Sequence, residues 1–219
     1  MVKNMKLFAL ALFFVFPALA QTGDDTLFTN PAKPGQSADL DAVSERLRQV
    51  KIIRARFQQK KKLAALRRPL KSTGSFLFAP HEGVYWHTEK PFANTLILTE
   101  KGIYQCSENA PPFRIEAAEQ PVVHSFTRVF MSMFSGDSAE LEKKFDLYFE
   151  GDPQKKWRIG LEPKGKIAAK MIQRIIIDGS VHFDQITLLE PSGDRTEIML
   201  EEVATEPELS NEERASFDF

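Results

Sequence analysis

Few side chains in this sequence have the type and spacing that chemistry demands. His81, Glu82 and His87 lie close together in HEGVYWH. A zinc helix needs two histidines on one face in the order HExxH, whereas here residues 80–83 read as a turn that separates them. The sequence has no phosphate-cradling glycine loop, no GxSxG elbow and no paired cysteines. His124 and His182 are solitary, and Asp178, Asp184 and Asp194 stand by turns or strand ends, where carboxylates commonly serve as turn residues. These residues point to a binding protein with no catalytic residue, no metal and no cofactor. A small hydrolase acting on acyl or glycan substrates is a rival reading, but no nucleophile stands beside a base.

The chemistry that the sequence does offer is apolar. Residues 121–136, PVVHSFTRVFMSMFSG, form the most apolar helix candidate after the amino-terminal segment. At 100° per residue Val122, Phe126, Val129, Phe130 and Met133 share one sector, and Ser125, Arg128, Ser132 and Ser135 fall opposite. Pro121 starts the helix and Gly136 stops it. Such a helix either closes a hydrophobic cavity or packs on a sheet as an ordinary amphipathic helix. The lining expected for a cavity is Phe126, Val129, Phe130, Met133 and Phe134 from the helix, with Phe76, Phe78, Trp86, Leu96, Leu98 and Trp157 from strands. Strand parity is not fixed by the pattern, because a one-residue slip turns every side chain to the other face.

A second feature is charge. Residues 46–71 hold eleven Lys or Arg and no Asp or Glu, whereas residues 190–213 hold nine carboxylates and one Arg. This asymmetry predicts a basic end and an acidic end. Arg54, Arg56, Lys60, Lys61, Lys62, Arg67 and Arg68 are candidates for contact with anionic headgroups or an acidic protein partner, or they form a solvated face. Nucleic acid is not an expected partner of an exported chain.

Export is expected from the first twenty residues. Lys3 and Lys6 precede an apolar run at 7–16 and the small-x-small site Ala18-Leu19-Ala20. That run is about ten residues long, half of what a membrane-spanning helix requires. The residue after the site is Gln21, not cysteine, so lipid attachment there is excluded and a soluble periplasmic protein is expected. Cys106 is the single cysteine, so no disulfide within the chain can hold the fold.

The elements that must position these residues are mostly strands. Residues 21–38, with two prolines and two glycines, predict a flexible leader. Ser37 or Asp39 caps a helix carrying Leu40, Val43, Leu47 and Val50. Alternation then predicts strands at 52–59, 72–80, 84–88, 95–99, 103–106, 145–150, 157–162, 169–177, 181–189 and 195–203. Residues 63–66 are either a strand or part of a loop, residues 109–112 break the pattern, 137–138 form a polar link, and 210–216 form a helical turn capped by Ser210. Nine or ten strands and few helices indicate a mainly β (α+β) fold. The options are a sandwich, a closed barrel, or a strongly curved antiparallel sheet or incomplete β-barrel with helices covering its concave face, which the two helices favour.

The helix 39–50, Phe57-Gln58-Gln59, Pro80 followed by Trp86, LILTEKGIYQ at 96–105, and WRIGLEPKG at 157–165 followed by three strands resemble the LolA-type periplasmic lipoprotein-carrier family. The resemblance implies one half-barrel domain over 39–219 whose cavity takes acyl chains of a lipoprotein or another lipid. It also implies a monomer that receives cargo from an inner-membrane exporter and passes it to an outer-membrane acceptor. Family members usually have Arg before the strand proline, helping to hold the lid; this chain has Ala79, consistent with a divergent relative whose cargo is a glycolipid or polyene lipid. Periplasmic envelope-stress sensors share a similar half-barrel, but they usually carry a second domain for which this sequence leaves no room.

Overall fold

The computed structural model describes residues 24–108, 110–118, 121–166 and 168–218, with 121–126 described through the backbone alone. The expected signal peptide, 1–20, lies outside the described residues. The chain begins with β1 (Pro31–Ala32), helix α1 (Ala38–Gln49) and β2 (Ile52–Lys62). It continues through β3 (Leu70–Ala79), β4 (Gly83–Lys90), β5 (Asn94–Thr99), β6 (Gly102–Ser107) and β7 (Ala110–Glu116). Helices α2 (Pro121–Ser135) and α3 (Ser138–Glu142) follow, then β8 (Phe145–Gly151), β9 (Trp157–Pro163), β10 (Arg174–Gly179), β11 (Phe183–Leu189), β12 (Arg195–Glu206) and helix α4 (Asn211–Ala215).

The twelve strands form one antiparallel sheet, ordered β1-β8-β9-β10-β11-β12-β2-β3-β4-β5-β6-β7 and not closed into a barrel. Period-two alternation divides its faces. Ile53, Ala55 and Phe57, opposite Phe78, Phe76 and Gly74, face the helices, and Arg54 and Arg56 face away. The fold class is the curved sheet with helices that the two predicted helices favoured.

Helices α1 and α2 lie against one end of the sheet. Arg46 of α1 donates to the carbonyl of Pro153 (2.7 Å) and to that of Ser180 (3.0 Å), in the β8–β9 and β10–β11 turns. Thr127, Arg128 and Met131 of α2 line a surface cavity of about 240 Å³ with Pro80 and Glu100, from the β3–β4 and β5–β6 turns. Inner side chains near this capped end, such as Phe78, Val84, Leu98, Trp157 and Phe183, are buried. Toward the other end, Trp86, Leu96, Leu188 and Ile198 are half-buried and Leu70 is 53% exposed.

Several local expectations need correction. Residues 24–37 pack instead of trailing: Leu27 is fully buried, Phe28 lies tilted against Tyr148 (5.1 Å) and under the Arg174 guanidinium (4.1 Å), and β1 pairs with β8. Gly160 leaves room for this strap, since a Cβ there would come within 2.9 Å of Phe28. Asp24 accepts from Arg158 (2.7 Å) and Arg195 (2.9 Å). Burial works against its ionised form, but the two guanidiniums outweigh burial and hold the carboxyl below its ordinary range. These partners lie more than a hundred positions away, where composition gives no hint of them.

Residues 110–112 continue as β7. Pro111 and Pro112 are tolerated because β7 is the last strand of the sheet, with one edge that needs no donors, and because they fall where its pairing with β6 shifts register between Gln105 and Ser107. Residues 63–66 form the β2–β3 turn, and 169–173 form a 3-10 turn and link before β10. Residues 137–138 start α3, with the Asp137 side chain accepting from the Glu140 N–H (3.0 Å). The predicted caps hold at α1, through Ser37, and at α4, through a Ser210–Glu213 capping box.

The separation into a basic and an acidic end does not survive. β12 pairs with β2, setting Lys60 opposite Glu197 and Arg56 opposite Glu201. Opposite charges side by side on neighbouring strands attract, so the two runs lie together.

Candidate functional site

Helix α2 is the element inserted into the concavity. It ends at Gly136, whose φ of +69° suits glycine as a helix stop. A Cβ at this position would lie 2.5 Å from the Ser44 carbonyl oxygen and 2.7 Å from the Leu47 Cβ, so α1 and α2 meet here through backbone. Asp137 N–H donates to the Ser132 carbonyl (3.1 Å), and Arg128 bridges to Glu140 of α3 (2.9 Å).

The inner face of α2 is an aromatic wedge. Phe134 is 1% exposed, with ring centroids 4.9 Å from Phe76, 5.4 Å from Phe78, 5.3 Å from Phe130 and 5.3 Å from Phe183. Trp86 lies against Phe57 (4.2 Å) and Phe76 (5.6 Å). Trp157 meets Phe183 (6.0 Å) while its indole N–H donates to the Ser180 carbonyl (2.7 Å). Of the residues expected to line a cavity, Phe76, Phe78, Leu98, Met133, Phe134 and Trp157 belong to the buried core. Trp86, Leu96, Val129 and Phe130 are half-buried against it. The Phe126 side chain lies outside the described residues.

Among the described residues these side chains pack closely against one another. The void bounded by Leu40, Met133, Leu147, Ile159 and Phe183 measures about 20 Å³, room for a single water. The fit is imperfect in its polar groups. The hydroxyls of Thr127 and Ser138 are buried with no hydrogen-bond partner among the described residues, and each such orphan costs about 1–3 kcal/mol. Phe57 and Phe183 are the aromatic contributors that the expected lining omitted. Phe57 was legible in the alternation of β2; Phe183 follows a register shift at Asp178/Gly179 that sequence spacing does not reveal.

Ala79 does not face α2. It packs on the outer face with Ile52, Leu77, Ile97 and Phe217, so a side chain there would meet the carboxy-terminal segment. The basic candidates divide in two. Arg54 bonds both carboxylate oxygens of Glu213 (2.6 Å each) and Arg56 pairs with Glu89 (2.7 Å). The hydrogen bond from Arg54 is the main reason the Glu213 carboxyl is lowered to about 2. Lys61 reaches Glu190 (3.2 Å). Lys60, Lys62, Arg67 and Arg68 are exposed at the β2–β3 tip.

His87 shares a hydrogen bond with Thr95 Oγ1 (2.8 Å). Among the described residues no three His, Cys, Asp or Glu side chains converge as a metal site, and no helix is long and apolar enough to cross a membrane.

No curated protein matches the chain in sequence. Among solved structures, a DUF1329 family protein from Desulfovibrio piger is similar, with 11% identity over 83% of this chain and 96% of that one, at a TM-score of 0.47. A LolA superfamily protein from Nitrosomonas europaea has 8% identity over 80% and 97%, at 0.44. In the complex of Pseudomonas aeruginosa MucA and MucB, the similar chain has 11% identity over 80% of this chain and 59% of that one, at 0.46. Residues 48–217, most of the chain, match the family described as "Outer membrane lipoprotein carrier protein LolA", and the protein belongs to that family.

Proposed function

We propose that this protein is a periplasmic, non-enzymatic carrier that takes acyl chains of a lipoprotein or another lipid onto the concave face of its sheet when α2 lifts away. One observation carries the reading: α2 fills that face with apolar side chains that an acyl chain can replace. Withdrawing Met133 and Phe134, both buried, gives up roughly 3–6 kcal/mol at about 1.5–3 kcal/mol per side chain. An acyl chain recovers about 0.8 kcal/mol per methylene, so about four to eight methylenes offset the loss. Half-buried Trp86, Leu96 and Phe130 mark where a chain enters. Met and Phe adapt to chains of different length.

Family membership supports the next step, in which the carrier accepts cargo from an inner-membrane exporter and delivers it to an outer-membrane acceptor. The test is native mass spectrometry of protein purified without detergent, followed by extraction of bound species and titration with a fluorescent acyl probe. Co-purified acylated material or saturable probe binding is expected. An empty protein that also ignores the probe would sink the reading.

A further inference from the structure

The β2–β3 tip, the β4–β5 turn and the β9–β10 connection all lie at the end of the sheet opposite α1 and α2, because their flanking strands run in alternating directions away from the capped turns. The β2–β3 tip presents Leu66, 45% exposed, beside Arg67 and Arg68, and Leu70 opens the next strand at 53%. The β4–β5 turn presents Phe92, 74% exposed, next to exposed Lys90. The β9–β10 connection presents Met171, 68% exposed, beside exposed Lys166 and Lys170. Each apolar tip is thus flanked by cations. Val181 is the exposed large apolar residue among the described turns of the capped end.

Single exposed apolar residues need no explanation, but three tips with the same pairing on one rim do. The β2–β3 tip is two strand spacings from the β4–β5 turn and four from the β9–β10 connection, about 10 and 19 Å at about 4.8 Å per strand. Carboxylates of the intervening β11–β12 turn are engaged internally: Glu190 by Lys61 (3.2 Å) and Asp194 by the Ala64 N–H (2.7 Å). Lys60, Lys62, Arg67 and Arg68 have no ion-pair partner among the described residues.

We infer that this rim docks on an anionic bilayer surface, its lysines and arginines meeting lipid phosphates while Leu66, Phe92 and Met171 enter the headgroup layer. The inference rests on the carrier reading in that docking would bring the half-buried end of the concave face to the membrane. Partition of the protein is nonetheless measurable without cargo. A basic side chain near an anionic surface contributes about fivefold in partitioning.

The experiment is sedimentation of the protein, purified from the exported fraction, with phosphatidylethanolamine–phosphatidylglycerol vesicles and with phosphatidylcholine vesicles, at low and high salt. Binding to the anionic vesicles that weakens with salt is expected. Arg67→Ala with Arg68→Ala should lower it about 25-fold, and Phe92→Ser should lower it with the salt dependence retained. Lys155→Glu, at an 81% exposed side chain of the capped end, should leave it unchanged. Equal binding to both vesicle types, indifference to the rim substitutions, or an equal loss in Lys155→Glu overturns the inference. Capture of an acidic protein by a rim that ignores vesicles overturns it too. The acyl-probe titration separates the two readings: probe binding without vesicle binding removes the rim, and vesicle binding without probe binding removes the carrier.

Discussion

Gly136→Ala tests whether α2 is a lid or part of an indivisible core, because it acts at the pivot without touching the face that would meet cargo. Two costs arise. A residue with a Cβ at φ +69° sacrifices about 1–2 kcal/mol. The new methyl, 2.5 Å from the Ser44 carbonyl oxygen and 2.7 Å from the Leu47 Cβ, adds about 1–3 kcal/mol of overpacking against backbone that cannot swing aside. Together they weaken closure by roughly 2–5 kcal/mol, a factor of about 30 to several thousand in the open population. Amide hydrogen exchange reads this directly. Amides of α2 should exchange faster by that factor, while those of β9 and β10 keep their protection. Acyl-probe affinity should rise in parallel until the open form predominates, since a cargo that selects a minor state gains whatever the protein no longer loses in reaching it. If the β9 and β10 amides accelerate equally with those of α2 and probe affinity does not rise, the helix is ordinary core and the argument fails.

Three further outcomes are expected. Phe130→Glu places a carboxylate on the half-buried face of α2 beside Phe134; it should abolish probe binding while circular dichroism still shows a folded sheet, and global unfolding would contradict the lid. Glu213 has a folded-state pKa of about 2, below the ordinary carboxylate value, so its bond to Arg54 stabilises the docked α4 segment above about pH 4 and loses that effect as pH falls toward 2; acid-induced release of this segment, followed by limited proteolysis, should disappear as a pH effect in Arg54→Met. Asp24→Ala leaves Arg158 still paired with Asp178 and Glu150, and Arg195 still paired with Glu197. The expected loss is about 1 kcal/mol, about 2–4 °C in melting temperature for a chain of this size, and an unchanged melt would mean the Asp24 ion pairs contribute nothing to holding the strap.

Much of this architecture was legible because local rules and tertiary outcome agree. Ser37 before an apolar helical stripe, Gly136 after one, and the 80–83 turn between two alternating runs each specify their element without help from elsewhere. Legibility failed where distant residues decide. A short Pro- and Gly-containing leader has no periodicity, yet it docks because Leu27 and Phe28 find a gap at Gly160. β7 carries two prolines and is recognisable as a strand only once its place at the sheet edge is known. The charge runs were visible, but their cancellation depends on β12 pairing with β2 across more than a hundred residues. The aromatic residues of the site were visible by type. That they touch followed only from the packed helix.

The pairing of β2 with β12, and of Asp24 with Arg195, also sets an order of events in the life of the chain. A polypeptide synthesised amino end first presents residues 24–62 long before residues 195–206 emerge. Until then one side of β2 has no neighbour and the strap has no guanidiniums to hold. Contacts this distant in sequence make folding wait for most of the chain, so β2 and the strap are completed only when the last strand arrives.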